Sequence, residues 1–338
     1  MGSASKMKTL APLSRRTLVA GLGTSFFTAS ILGDIAAAHG DEQNLTGNPV
    51  HFYVGLGAGS GPDVVCRRIS SSLSRLWNAK AVVHNQSGAT GGIAMATVGA
   101  AAPDGHTLLF AMSSTFVALP EIQTSFPYDL ARDFVPVGFV GEVPMVIAAS
   151  PSLGVDTLAD FIRVARRQKL NVAVTNRGGT PHLTAEWLGM AAKADLTSIS
   201  YRSTPEGLAD LLGGRVQAAV DSLPGLRGAI EAGRVKVLAV CSQERLPEFP
   251  NIPTAAETLP GFVAVGWFAI MAPPHTPDGV AQKLSETLQV ALQEPDLRHE
   301  LRGIGFYPRA MSPAELRDFI AREKAVWKPV IERVAFAN

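Results

Sequence analysis

From residue 49 onward, short apolar runs alternate with amphipathic stretches of helical period, and that alternation restricts the chain to the α/β class. "PVHFYVGL", "KAVVHN" and "HTLLFAM" have the length and composition of strands. Between them, "DVVCRRISSSLSRLW" puts Val65, Ile69, Leu73 and Leu76 on one helical face, and "GGIAMATVGAA" is a second helix, stopped by "PDG" at 103–105. "VPVGFVGEVPMVIAAS" reads as apolar runs broken by Gly141 and Pro144. After about residue 145 the series restarts. "TLADFIRVARRQ" is a helix with Thr157 as its cap, and the strands "LNVAVT", "LTSISY", "VQAAVD" and "VKVLAV" are separated by helical segments. Three helices follow "WFAIMAPPHTP". Repeated strand–helix–strand units imply largely parallel sheets covered by helices, with ligands at the C-terminal ends of the strands. The restart implies two α/β lobes, with the C-terminal helices returning to the first.

The N-terminus reads as an address rather than as part of the fold. Arg15 and Arg16 precede an apolar stretch that ends in Ala36-Ala37-Ala38. That is an export signal over residues 1–38, and the paired arginines favour the twin-arginine route over an ordinary secretory signal with incidental arginines. A polar linker follows at 39–48. The apolar stretch falls short of the ~20 residues a membrane span needs. The net charge of +1 gives no global electrostatic case for nucleic acid, and no zinc-finger spacing or basic helix is present. The two cysteines, Cys66 and Cys241, sit in apolar patterns and read as buried small hydrophobes, although export would permit a disulfide. No metal site follows from them, and no cofactor is called for.

Three loops carry the functional signal. The first is "VGLGAGSGPD" at 54–63, a glycine-rich turn between a strand and a helix. Its strictly alternating glycines fit neither a dinucleotide fingerprint nor a P-loop. Backbone N–H groups and the helix start still favour an anion, and Asp63 in the first turn makes a small carboxylate a better fit than a triphosphate. A tight structural turn is the alternative. The second loop, "MSSTF", places Ser113, Ser114 and Thr115 after a strand, and the third, "TNRGGTPH", places Thr175, Asn176, Gly178 and Thr180 before a helix. Arg177 either pairs with a carboxylate or is a solvated loop residue. Asp221 either accepts from a ligand or caps the helix after it. His182 reads as a structural hydrogen bonder rather than a base. No G-x-S-x-G, H-E-x-x-H or C-x-x-C is present, so no catalytic residue is assigned.

With "GLGAGSGPDVVCR", "VVHNQSGATGGIAMATVGAAAPDGHTLLF", "FPYDLARDFVPVGFV", "ISYRSTPEGLADLLGGRVQAAVDSLP" and "FPNIPTAAETLPGFVAVGWFAIMAPPHTP" in that order, the chain resembles the Bug family. These are the extracytoplasmic solute receptors of tripartite tricarboxylate transporters. The resemblance spans essentially the whole mature chain. It implies a two-lobed periplasmic binding protein of type II-like build, each lobe a mostly parallel sheet flanked by helices, with the ligand cleft between them. Residues 49–143 and 265–338 would form one lobe and 144–264 the other.

Carried over by position, the family's grip on a ligand carboxylate falls on Leu56, Gly57, Ala58, Gly59 and Ser60, with Asp63 beside them. It falls also on Thr175, Asn176, Gly178 and Thr180, while Ser113, Thr115 and Asp221 match family hydroxyls and an aspartate. The departures cluster at the same loops, with Gly55 where the family has proline and Leu56 where it has an aromatic, so ligand identity does not carry over. The implied protein is a monomeric periplasmic receptor that hands a small organic carboxylate to the transporter's membrane subunits without catalysis. The alternative is a ligand sensor of the same fold that docks to a membrane signalling protein. A secreted enzyme is a third reading, motivated only by the hydroxyl-rich loops.

Overall fold

β-Branched and aromatic residues concentrate in the runs that form strands in the computed structural model, which describes residues 47–122, 127–311 and 313–336. The export signal at 1–38, and the linker as far as residue 46, lie outside the described residues. Ten strands form: β1 (Val50–Val54), β2 (Ala81–Asn85), β3 (Thr107–Met112), β4 (Val135–Ala149), β5 (Leu170–Thr175), β6 (Leu196–Tyr201), β7 (Ala218–Ser222), β8 (Lys236–Val240), β9 (Val265–Ala272) and β10 (Tyr307–Pro308). The order is β2-β1-β3-β9-β4-β7-β5-β6, with β8 and β10 also paired to β4.

Two parallel groups result. β1 lies between β2 and β3, and β5 lies between β6 and β7, all in parallel register. The ladders that join them are antiparallel: β9 runs against both β3 and β4, and β4 runs against β7 and β8. The parallel sheets expected from the strand–helix repeats therefore hold only away from these two crossing strands. We call the β1–β3, β9 and β10 side the first sheet and the β5–β8 side the second.

β4 is one strand of 15 residues, not two runs. Gly141 and Pro144 do not end it; they shape it. At Gly141 the register against β9 slips, φ is 155°, and a Cβ would lie 2.4 Å from the Tyr307 carbonyl oxygen. Glycine is what lets β10 approach there. Pro144 stands where β4 leaves β9 and begins to pair with β7 at Met145 and with β8 at Val146, so its missing N–H falls at the change of partners. The chain returns at the same level: the Met145 N–H donates to the Ala264 carbonyl at 3.1 Å, and the Ala264 N–H donates to Cys241 at 2.8 Å.

The helices follow the apolar pattern with one shift. In Gly61–Trp77 the buried face is Val65, Ile69, Leu73 and Trp77, at a spacing of four, while Leu76 is 40% exposed. Thr157 caps Leu158–Ala165 by accepting from the Asp160 N–H. Cys66 and Cys241 are free and buried. The helix Asp278–Gln293 packs on Gly61–Trp77 and β4. The last helix, Pro313–Phe336, touches more than the first sheet. It packs on Ser113–Val117 and also on Thr180–Ala192, the helix after β5. There the Trp327 ring meets Trp187 edge-on at 5.9 Å, and Trp187 lies 4.6 Å from Phe262. Trp327 is buried, so Trp327→Ala should lower unfolding free energy by ~3–5 kcal/mol. Urea denaturation with a wild-type midpoint would show that the helix contributes nothing across that seam.

Candidate ligand-binding site

Four helices begin around one small cavity between the two sheets, and each begins there for a local reason. Gly61–Trp77 starts with Pro62, Thr180–Ala192 with Pro181 and Leu223–Glu231 with Pro224, all in the first turn, where a missing N–H costs nothing. The short helix Ser113–Val117 starts directly off β3. Pro62, Ser113, Ser114, Gly179, Thr180, Pro181 and Ser222, from these starts, line the cavity. A helix N-terminus carries about +0.5 of a unit charge and unpaired donors. The convergence turns partial positive charge from neutral groups toward the cavity.

Two side chains on the cavity wall have buried polar atoms with no partner, Thr175 Oγ1 and Asn176 Nδ2. Buried polar atoms are nearly always satisfied in folded proteins, so this pair marks where a ligand or water is to be met. Asn176 holds the left-handed conformation (φ 58°), with its N–H donating to the Tyr201 carbonyl at 3.0 Å and its own carbonyl accepting from Gly179 at 2.7 Å. Ser113 Oγ and Thr180 Oγ1, from opposite sheets, hydrogen-bond at 2.8 Å. The apolar wall is Leu56, Met112, Val143, Met145 and Phe268. The cavity volume is about 30 Å³, where a single water needs roughly 10–15 Å³ by the same measure. The two sheets are closed on one another.

Of the residues singled out from sequence, Leu56, Ser113, Thr175, Asn176, Thr180 and Asp221 line this cavity. Gly57, Ala58, Gly59, Ser60, Asp63, Thr115 and Gly178 do not. The first loop spends its donors inside the protein. The Gly57 N–H donates to the Arg202 carbonyl at 3.0 Å, Gly59 to Asp63 Oδ2 at 2.9 Å, and Ser60 to the Gly57 carbonyl at 3.3 Å. Asp63 is buried, accepting also from Asn85 Nδ2 at 3.0 Å and pairing with Arg67 at 2.9 Å. It braces the loop. Thr115 Oγ1 donates to the Thr90 carbonyl at 3.4 Å, and Thr90 Oγ1 donates to the Arg177 carbonyl at 2.8 Å, a tie between the two sheets that no sequence signal indicated. The Gly178 N–H donates to His182 Nδ1 at 3.0 Å, so His182 supports the loop, and its burial holds its pKa down. The Arg177 side chain is exposed.

Sequence reasoning missed the apolar wall beyond Leu56, and Ser222. Ser222 follows Asp221 at a strand-to-helix step like the other three, so the same signature applied once more would have found it. Phe268, Met145 and Val143 come from the crossing strands and carry no motif.

Asp221 is the one charged residue among the described cavity lining. Its Oδ2 accepts from Thr204 Oγ1 at 2.8 Å, and its Oδ1 from the Ser222 N–H at 2.6 Å and from Ser222 Oγ at 3.3 Å. Burial pushes its carboxyl up to about 6, against those hydrogen bonds, which lower it. The Thr175 hydroxyl lowers it too from nearby, although it reaches no partner at hydrogen-bonding geometry. Between 3.8 and about 6 the folded chain keeps a proton that the unfolded chain has released, so stability falls as pH rises through that window. Asp221→Asn removes that component. The unfolding free energy of the variant, relative to wild type, should rise by about 2–3 kcal/mol from pH 4 to pH 7. A difference that stays constant with pH would contradict the assignment.

The first loop's closeness to the second sheet gives a separate test. A Cβ on Gly57 would lie 2.8 Å from Ser203 Cβ and 3.1 Å from the Arg202 carbonyl oxygen. Gly57→Ala should therefore hold the sheets apart and weaken ligand binding at least ~10-fold, since binding draws on the closed state. Thermal unfolding without ligand should change by no more than a few degrees. Wild-type affinity would show that the Gly57 approach does not matter for binding.

A hydrogen-bonding cavity closed between two α/β sheets that share crossing strands defines the fold of a periplasmic binding protein. The family model described as the tripartite tricarboxylate transporter family receptor matches residues 65–336, and the chain belongs to that family. It is 32% identical over 318 residues to Protein BugT of Bordetella pertussis, covering 93% of this chain and 96% of that one. Among solved structures it is similar to R. palustris Rpa4515 with adipate, at TM-score 0.81 and 30% identity over 86% of this chain and 97% of that one. It is also similar to the periplasmic binding protein BugD, at TM-score 0.79 and 27% identity over 85% and 98%.

Proposed function

We propose that this protein is a monomeric periplasmic receptor that closes on a small organic carboxylate and delivers it to the membrane subunits of a tripartite tricarboxylate transporter, without chemical change. The carrying observation is the pair of unpartnered polar atoms, Thr175 Oγ1 and Asn176 Nδ2, in a cavity ringed by helix N-termini. Such donors suit an anion and supply the differential affinity that drives closure. The family relation supports the receptor role, and Rpa4515, a relative solved with adipate, supports a carboxylate as the ligand class. In this reading residues 49–143 with 265–338 move as one lobe and 144–264 as the other. The change of partners in β4 at Pro144–Met145 and the return near Ala264 support hinges there. The signal at 1–38 would direct export by the twin-arginine route.

Native mass spectrometry of the freshly purified mature protein, followed by denaturation, should release a carboxylic acid. Thr175→Val combined with Asn176→Ala should then lower its calorimetric affinity at least ~10-fold. Affinity unchanged in that double variant would move the site elsewhere, and catalytic turnover of the released acid by the wild type would end the receptor reading.

A further inference from the structure

We infer that the ligand is a monocarboxylate with an apolar body, rather than a di- or tricarboxylate, an inference that rests on the receptor reading above. The donors that suit a carboxylate cluster at Ser113, Thr175, Asn176 and Thr180. They come without a cation: among the described residues lining the cavity, none is lysine, arginine or histidine. The arginines of the adjoining loops, Arg177 and Arg202, are exposed. Their backbone carbonyls accept from Thr90 Oγ1 and the Gly57 N–H.

The rest of the wall has two characters, and neither suits a second carboxylate. One part is the hydrocarbon and thioether surface of Leu56, Met112, Val143, Met145 and Phe268, against which a desolvated anion is costly. The other is Asp221, a like charge. Asp221 does not call for a ligand ammonium either, because its oxygens already accept from Thr204 Oγ1, the Ser222 N–H and Ser222 Oγ. A ligand that fits ends in one carboxylate at the helix starts and carries an uncharged remainder along the apolar wall. The small volume of the closed cavity favours a short one.

Two matched series of probes separate the possibilities by their far end alone: butyrate, succinate and 4-aminobutyrate, and hexanoate, adipate and 6-aminohexanoate. Each is titrated into the mature chain by calorimetry near neutral pH. In at least one series the monocarboxylate should bind at least ~10-fold tighter than both partners, given the cost of desolvating a second charge. Asp221→Asn should narrow that preference over the dicarboxylate, a ratio that a purely structural role of Asp221 would leave alone. If in neither series the monocarboxylate binds tighter than both its dicarboxylate and its aminocarboxylate, the inference is overturned. If no probe binds while native mass spectrometry still releases a carboxylic acid, this inference falls and the receptor reading stands. If neither experiment finds a carboxylate, both fall.

Discussion

The structure is organised around helix N-termini that meet at one place. The steps out of β1, β3, β5 and β7 all end at this cavity, and the crossing strands β4 and β9 join the two sets. The consequence is a cavity toward which backbone dipoles turn partial positive charge, with hydroxyls and one amide as directional donors. The scarcity of fixed charge is part of the same design. Among the described lining residues Asp221 is the single charge, and it is held by the Thr204 hydroxyl and the Ser222 N–H. Partial positive charge of that kind tolerates such a buried carboxyl, while its desolvation keeps its pKa high.

The two sheets are tied by hydrogen bonds in and beside the cavity. The Gly57 N–H on the Arg202 carbonyl, Thr90 Oγ1 on the Arg177 carbonyl, and Ser113 on Thr180 are hydrogen bonds from one sheet to the other. Two of these use backbone carbonyls of exposed arginine residues. The tryptophan contact between Trp187 and Trp327 joins the second sheet's helix to the last helix of the chain. Tyr307 Oη, from β10, adds a further tie by donating to Glu248 Oε2 at 2.8 Å.

Much of this was legible in the sequence because it depends on local pattern. The strand–helix alternation and the Thr157 cap rest on periodicity and turn chemistry. What was not legible depends on partners far along the chain. In the glycine loop at 54–63, Asp63 at the helix start is placed to cap a neighbouring amide, and it takes the Gly59 N–H, but nothing in the loop reveals that the Arg202 carbonyl takes Gly57. Gly141 and Pro144 look like breaks, and only the approach of β10 and the change of sheet explain why β4 runs through both. Leu76 fits the helical stripe, but the helix turns Trp77 inward, because a spacing of four meets the sheet better here. The apolar wall is the same case: Val143, Met145 and Phe268 read as core until the second sheet leaves a cavity beside them.

The most direct test of the account is a crystal structure of the mature protein with its bound acid. One carboxylate group is expected at the start of the helix Thr180–Ala192, with an oxygen at ~2.7–3.2 Å from Asn176 Nδ2 and another within reach of Thr175 Oγ1. A carboxylate paired to an arginine or lysine side chain, or seated outside this cavity, would contradict it.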